Sequence, residues 1–466
     1  MKTVEIEEEE RKTIGKNVLK LAVPVLLENL FQLLFSFVDM IFVGFLGSTA
    51  LAAVGLGLQV INVILAIVGG LTTGTMVMIA YSIGAKKYKE AEKYLTNSLS
   101  LGLFLSVFML IFGILGADKL LYLLGARDEL LSYTSVYLKY ILIPGFLIIF
   151  MSVISAALRG AGDTRTPLYI TMTSNTLNIF LDYVLVFGKF GFPKMGVAGA
   201  ALATSLSRLV GVILLFIIIY RRNSVFKFQD FGYSILTLER DKSSKILNIG
   251  FPILVENLLF NIGVLIYASI VLSLGTEVYA AHRIVLNAES LSFQPGFAFG
   301  VAATALVGQY KGAGENEKSL IASLECWRRA LILMSTVGLL LFLFPEPLIK
   351  MFTREQNVIK LAVPALRIIA IAQPLLATSN VISGSLRGSG FTKIPMVFSA
   401  IGMWIIRIPL TYILCIKIGI GLAGAWIAMA VDISFKAIAN YYTFIVRKYF
   451  LKESIKPSKN DETLYN

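Results

Sequence analysis

The stretch AVPVLLENL at residues 22–30 returns as GFPILVENL at residues 250–258, which lays Pro24 on Pro252, Glu28 on Glu256 and Asn29 on Asn257. The same shift of 228 residues sets Leu46-Gly47 on Leu274-Gly275, Gly84-Ala85 on Gly312-Ala313, and LRGAGDTRTP (158–167) on LRGSGFTKIP (386–395). After a three-residue change of offset near 190, GVAGAALAT (196–204) falls on GLAGAWIAM (421–429). One register held over so long a stretch marks an internal duplication.

Each copy is built of long apolar runs. Hydrophobic residues make up 56% of the 466-residue chain and charged ones 15%, with a mean hydropathy of +0.77. Ordinary soluble domains have about 45–50% and 25%, so a soluble globule is excluded. The runs do not alternate every second residue as barrel strands do, and backbone groups in lipid must be satisfied internally, so they read as helices. Twelve spans are expected, near 18–46, 50–83, 91–116, 130–158, 166–188, 196–220, 246–274, 279–310, 319–344, 357–386, 394–416 and 421–446. Six spans per copy is an even number, so the copies share one orientation and their interface forms a cleft, as in transporters built from two parallel bundles. The expectation is an all-α integral membrane protein. It comprises a cytosolic tail (1–17), an N-lobe (18–220), a polar linker (221–245) suited to letting two lobes rock, a C-lobe (246–446) and a basic tail (447–466).

The formal charge of +13 lies largely between spans and at the C-terminus, where anionic lipid attracts it, so nucleic acid is not expected as a partner. Placing both termini in the cytosol puts Lys86, Lys87, Lys89, Arg159, Arg165, Lys311, Lys318, Arg387 and Lys393 inside, as the positive-inside rule asks. Cys326 and Cys415 lie in different apolar segments and His282 is the only histidine, so no metal cluster or thiol chemistry is expected. The opening residues lack the short apolar stretch of a removable signal peptide, so the first span is expected to direct insertion.

The duplication fails at a few polar positions. A charge among apolar spans costs at least about 2.5–3.5 kcal/mol and is by default functional. Asp39 in the first span faces Tyr267 under the 228 shift, Asp182 in the fifth faces Leu410, Asn178 faces Ile406, and Thr204 in the sixth faces Met429. Asn178 and Asp182 are one helical turn apart and share a face. Two carboxylates, an amide oxygen and a hydroxyl are hard donors suited to a proton or a small alkali cation, and two acids in low dielectric cannot both ionise cheaply. The alternative for each is a hydrogen bond between helices. Glu28 and Glu256, kept in both copies, suit a structural role as well as a substrate role. Asp432 and Lys436, four apart, are expected to neutralise each other. Arg208, Lys139, Arg367 and Arg407 are undecided among lining, snorkelling and pairing.

FVDMIFVGFLG (37–47), LRGAGDTRTP (158–167), LNIFLDYVLVFG (177–188), GVAGAALAT (196–204) and AAHRI (280–284) together resemble the multidrug and toxic compound extrusion (MATE) family of antiporters over residues 18–450. The resemblance implies two six-helix bundles with a central cleft, exchanging H⁺ or Na⁺ for organic, often cationic, drugs across a prokaryotic inner membrane, with no cofactor beyond the coupling ion. It assigns Asp39, Asn178, Asp182 and Thr204 to a cation- or proton-binding cluster. Phe35, standing where archaeal members carry a tyrosine, is expected along the substrate cleft with Glu256, His282, Arg283 and Glu289. The absence of an acid from AIAQPLLATSNVISG in the tenth span speaks against a second Na⁺ site and for a likeness to the DNA-damage-inducible branch. A monomer is expected. The competing readings are a lipid-linked saccharide flippase of the same superfamily and a passive channel.

Overall fold

A computed structural model describes residues 8–221, 238–452 and 455. The expected linker and basic tail lie mostly outside them. Regular structure among the described residues is helical throughout. The spans are α1 (Glu8–Gly44), α2 (Ser48–Gly84), α3 (Tyr88–Leu123), α4 in two segments (Asp128–Leu142 and Phe146–Gly160), α5 (Arg165–Phe187), α6 (Val197–Arg221), α7 (Arg240–Leu272), α8 (Thr276–Gly312), α9 (Asn316–Leu343), α10 (Gln356–Gly388), α11 (Lys393–Lys417) and α12 (Leu422–Val446). Eleven are single helices long and apolar enough to cross a membrane. The two α4 segments, bent by 51°, complete twelve when taken as one span.

The bend has an identifiable cause. Pro144 cannot donate to the carbonyl of Tyr140 and disfavours helical backbone before it. The stranded Tyr140 oxygen is taken up by the Ser205 hydroxyl of α6 at 2.8 Å. Beside this break α4 and α6 border a cavity of about 410 Å³, lined by Lys139, Pro144, Leu202 and Leu209 among others.

Both LRG motifs mark close helix crossings. A Cβ on Gly160 would stand 2.5 Å from the Met76 carbonyl oxygen, and one on Gly388 would stand 2.5 Å from that of Thr304, the residue 228 further on. The next glycines, Gly162 and Gly390, take φ of +90° and +83°, which turns the chain tightly. Gly160→Val and Gly388→Val are therefore expected to cost about 1–3 kcal/mol each by overpacking. Thermal unfolding in detergent reads this directly, and unchanged transitions would contradict the crossing.

Two compact units emerge: Leu27–Gly250, and Met1–Leu26 with Phe251–Asn466. They will be called the N-terminal and C-terminal units. They follow the duplication except at its ends: residues 18–26, assigned above to the N-lobe, belong to the C-terminal unit, and residues 246–250 belong to the N-terminal one. The cause is packing. Ile14, Val18, Leu21 and Ala22 form a 3–4-spaced stripe on α1 that is buried in the C-terminal core among Val271, Val285, Leu306 and Cys326. Burial of such a stripe, not chain order, decides which unit a helix segment joins.

Candidate cation site and its counterpart

Within the N-terminal unit, α1 contributes Asp39, α5 contributes Asn178 and Asp182, and α6 contributes Thr204. These four meet. Asp182 is 2% exposed and Asn178 6%. With its amide oriented to satisfy both ends, Asn178 donates to Asp39 Oδ1 at 3.2 Å and accepts from the Thr204 backbone N–H at 3.3 Å. The Asp39 and Asp182 side chains lie near enough to act on each other. The Asp182 Oδ1 oxygen is buried without a protein partner. The Thr204 hydroxyl donates to the Ala200 carbonyl one turn back at 2.9 Å, so Thr204 enters the cluster through its backbone N–H.

Arg208, one turn beyond Thr204, is near enough for its charge to act on Asp39 and on the buried Tyr137. Among the described residues it forms no ion pair with either acid, so the carboxyl pair is offset at a distance rather than neutralised. Tyr137 was not among the sequence candidates. Nothing in its surroundings on α4, YTSVYLKYI, distinguishes it from other span tyrosines.

The corresponding region of the C-terminal unit carries opposite chemistry. Tyr267, in the place of Asp39, packs its ring 5.5 Å from that of His282, which lies 5.5 Å from Trp426. The Arg407 guanidinium lies 5.8 Å from the Tyr267 ring and pairs with Asp432 at 2.6 Å, while Lys436 reaches the same Asp432 oxygen at 3.0 Å. The expected Asp432–Lys436 pair is thus a triad, and Arg407 is paired rather than lining or snorkelling.

Glu28 and Glu256 resolve in the same way in both units. Arg159 donates to Glu28 at 2.7 Å and Thr171 to the same oxygen at 3.0 Å. Arg387 donates to both Glu256 oxygens at 2.8 and 2.9 Å. Arg159 and Arg387 are the arginines of the two LRG motifs, themselves 228 apart. Each pair ties the first helix of a repeat to its LRG turn, a use for Glu256 other than substrate contact.

Of the remaining cleft candidates, His282 is 2% exposed and enclosed by rings, and Glu289 is 7% exposed. Both belong to the interior of the C-terminal unit. Arg283 is exposed and Phe35 half-buried, the latter with its ring 6.5 Å from that of Phe31. Among the described residues no group of three or more His, Cys, Asp or Glu could hold a metal ion. The site offers hard oxygen donors and no soft ligand.

The profile of the family described as MatE matches residues 24–184 and 252–413, one match on each copy of the repeat. The chain belongs to the MatE family. A relative from Thermotoga maritima named "Probable multidrug resistance protein NorM" is 40% identical over 444 residues, 95% of both chains. The solved structure of a MOP superfamily transporter from Pyrococcus furiosus superposes with a TM-score of 0.87 at 26% identity, covering 95% of this chain and 97% of that one. Another, an outward-facing multidrug resistance MATE family transporter, gives the same values. The protein is accordingly a secondary transporter of the MATE/MOP superfamily, a multi-pass membrane protein and not an enzyme. The expected leaning towards the DNA-damage-inducible branch is corrected, because the relative 40% identical over 95% of the chain carries the NorM name, as do several others. The missing tenth-span acid that suggested it concerns one site, whereas overall identity sums the whole chain.

Proposed function

We propose that this MatE transporter is a multidrug efflux antiporter that exports organic, often cationic, compounds in exchange for H⁺ or Na⁺ by alternating access. Asp39, Asn178, Asp182 and Thr204 take up the coupling ion. The observation that carries this reading is the convergence of two acids from different helices, Asp39 half-buried and Asp182 buried, on Asn178 and Thr204. With a proton or cation between them, α1 and α5 are drawn together. When both carboxylates are bare, like charges in a poorly screened interior push them apart. Occupancy is thereby tied to the spacing of two helices, which an antiporter needs and a passive channel does not. The names of the relatives support a drug as the exported partner. The distribution of basic residues between spans supports both termini in the cytosol of a prokaryote, and a single chain contains the whole duplicated architecture, which supports a monomer.

The test is purified protein in liposomes loaded with a fluorescent organic cation, with a pH gradient and a Na⁺ gradient imposed separately. One gradient is expected to drive the cation against its own concentration gradient. Movement only down that gradient, under both conditions, would leave a leak and remove the antiport reading.

A further inference from the structure

Three arginines converge on one buried acid at the joint of α1 and α9. Glu325 of α9 has 3% side-chain exposure. Arg11 of α1 donates to its Oε1 at 2.9 Å, Arg329 pairs with its Oε2, and Arg328 stands 3.6 Å from that same oxygen. One guanidinium neutralises one carboxylate, so the group carries two positive charges in surplus. Of the acids at the starts of the same two helices, Glu8 pairs with Lys12 at 3.1 Å, and Glu10 and Glu315 pair with Lys318 at 2.8 and 3.0 Å. The duplicated frame does not require this surplus. Under the 228 shift Arg11, Glu325, Arg328 and Arg329 fall on Glu239, Asn97, Ser100 and Leu101. There α7 meets α3 through the Glu239 N–H, which donates to Asn97 at 2.8 Å, and Lys93 pairs with Glu239 and Lys242 with Glu90, one base to one acid.

The surplus is held in place and open to the outside. Arg329 lies against Gly15 of α1, where a Cβ would overlap its guanidinium. Arg11 and Arg328 are more than half exposed, at 56% and 55%, and a guanidinium has five N–H donors, of which the carboxylate uses few. Trp327, next in sequence, donates to Thr378 at 2.9 Å and packs its ring 5.6 Å from that of Tyr441, an aromatic pair of the kind that sits at headgroup level. From Arg328 the exposed face of α9 continues through Ile332, Thr336, Leu339 and Leu343, a spacing of three and four that keeps to one side of a helix. Its one hydroxyl, on Thr336, donates to the Ile332 carbonyl at 2.9 Å. The apolar strip runs about 22 Å at 1.5 Å per residue, more than half of a hydrocarbon core of roughly 30 Å.

We propose that Arg11, Arg328 and Arg329 bind the phosphate of an anionic phospholipid in the leaflet at which α1 begins, with one acyl chain laid along the α9 strip from Ile332 to Leu343. The planar guanidinium matches phosphate oxygens in a two-point fork. Glu325 is a positioning residue: it gathers three like charges that would otherwise repel. The strip selects a lipid over free phosphate, which has no use for an apolar surface. The surplus of two charges selects an anionic headgroup over a zwitterionic one, whose own cation would be brought up against the arginines.

Thermal unfolding of the purified full chain in detergent, with phosphatidylglycerol, phosphatidylcholine or inorganic phosphate added, reads the binding without any drug or ion gradient, so its outcome is independent of the antiport reading. Phosphatidylglycerol is expected to raise the transition in a saturable way, and the other two to leave it nearly unchanged. Equal shifts from the two lipids, or an equal shift from inorganic phosphate, would overturn the proposal. The double variant Arg11→Gln, Arg328→Gln leaves Arg329 on Glu325 and is expected to raise the half-saturating phosphatidylglycerol at least tenfold. Arg354→Gln with Lys417→Gln removes the same charge from exposed positions elsewhere in the C-terminal unit and is expected to leave half-saturation as in wild type. No change in the first pair, or the same loss in both, would reduce the effect to general charge attraction and remove the site. Each variant is compared by its response to lipid and not by its transition alone, so lost stability does not imitate lost binding. Should the first pair fail to fold, Arg328→Lys keeps the charge and loses the fork; an unchanged half-saturation there would equally refute the assignment.

Discussion

Asp39→Asn and Asp182→Asn are each expected to abolish gradient-driven export while leaving a folded, monodisperse protein. For one-to-one exchange, a tenfold ion gradient is worth about 1.4 kcal/mol and sustains about a tenfold drug gradient. The variants should sustain none. Asparagine keeps the size of the side chain and can still hydrogen-bond to the remaining acid, so the contacts among α1, α5 and α6 survive. What disappears is the second ionisable group. With one acid replaced, no two like charges are left to drive the helices apart when the ion leaves, and occupancy no longer reports on helix spacing. Drug accumulation in liposomes under the active gradient is the measurement. Wild-type accumulation in either variant would remove the cluster from the coupling mechanism.

Arg407→Leu should be the most destabilising single change in the C-terminal unit, by about 3–5 kcal/mol, because it leaves a buried acid with one partner where it had two. Asp432 has no side-chain exposure, and Arg407 has 5%. Gly402 has no Cβ to block the approach, since one there would overlap Asp432 Oδ1. The double variant Arg407→Leu, Asp432→Asn should recover a large part of the loss, since replacing both charges of a buried pair costs less than stranding one. Thermal unfolding of the two proteins in the same detergent checks this. Equal transitions for wild type and Arg407→Leu would mean that Lys436 alone satisfies Asp432.

The contrast between the two units gives these predictions their direction. Loss of charge in the N-terminal cluster should cost coupling with little stability, because among the described residues no base is ion-paired with its acids. Loss of charge in the C-terminal triad should cost stability, because its ions are permanent partners. The same duplicated frame carries acids without an ion-pair partner in one copy, among the described residues, and a tethered acid in the other.

Much of this was legible in the sequence. Twelve spans follow from the length of the apolar runs, since lipid leaves backbone groups no partner outside their own helix. The duplication named the paired prolines, the LRG glycines and the Glu28 and Glu256 positions, and its failures at Asp39, Asn178, Asp182 and Thr204 singled out residues that do converge. Other features were not legible because they depend on contacts between distant segments. Arg407 stands 25 residues from Asp432 and 140 from Tyr267, and no local pattern distinguishes a paired arginine from a snorkelling one. His282 and Glu289 looked available for a cleft because polar residues on a span must face something other than lipid. Packing gave them the interior of a bundle instead.

Local chemistry by itself determined that the chain is a membrane-spanning helical protein, duplicated, with an acidic cluster in the first copy only. Hydropathy and repetition are properties of the chain at short range or in strict register, so they survive in one dimension. Tertiary structure alone decided that the opening turns of α1 belong with the second copy and those of α7 with the first, that Glu28 and Glu256 hold the two LRG arginines, and that Asn178 of α5 reaches Asp39 of α1. Each of these joins groups more than 100 residues apart. The partner of a buried charge is chosen by which helices pack side by side, and many packings are compatible with the same run of apolar residues.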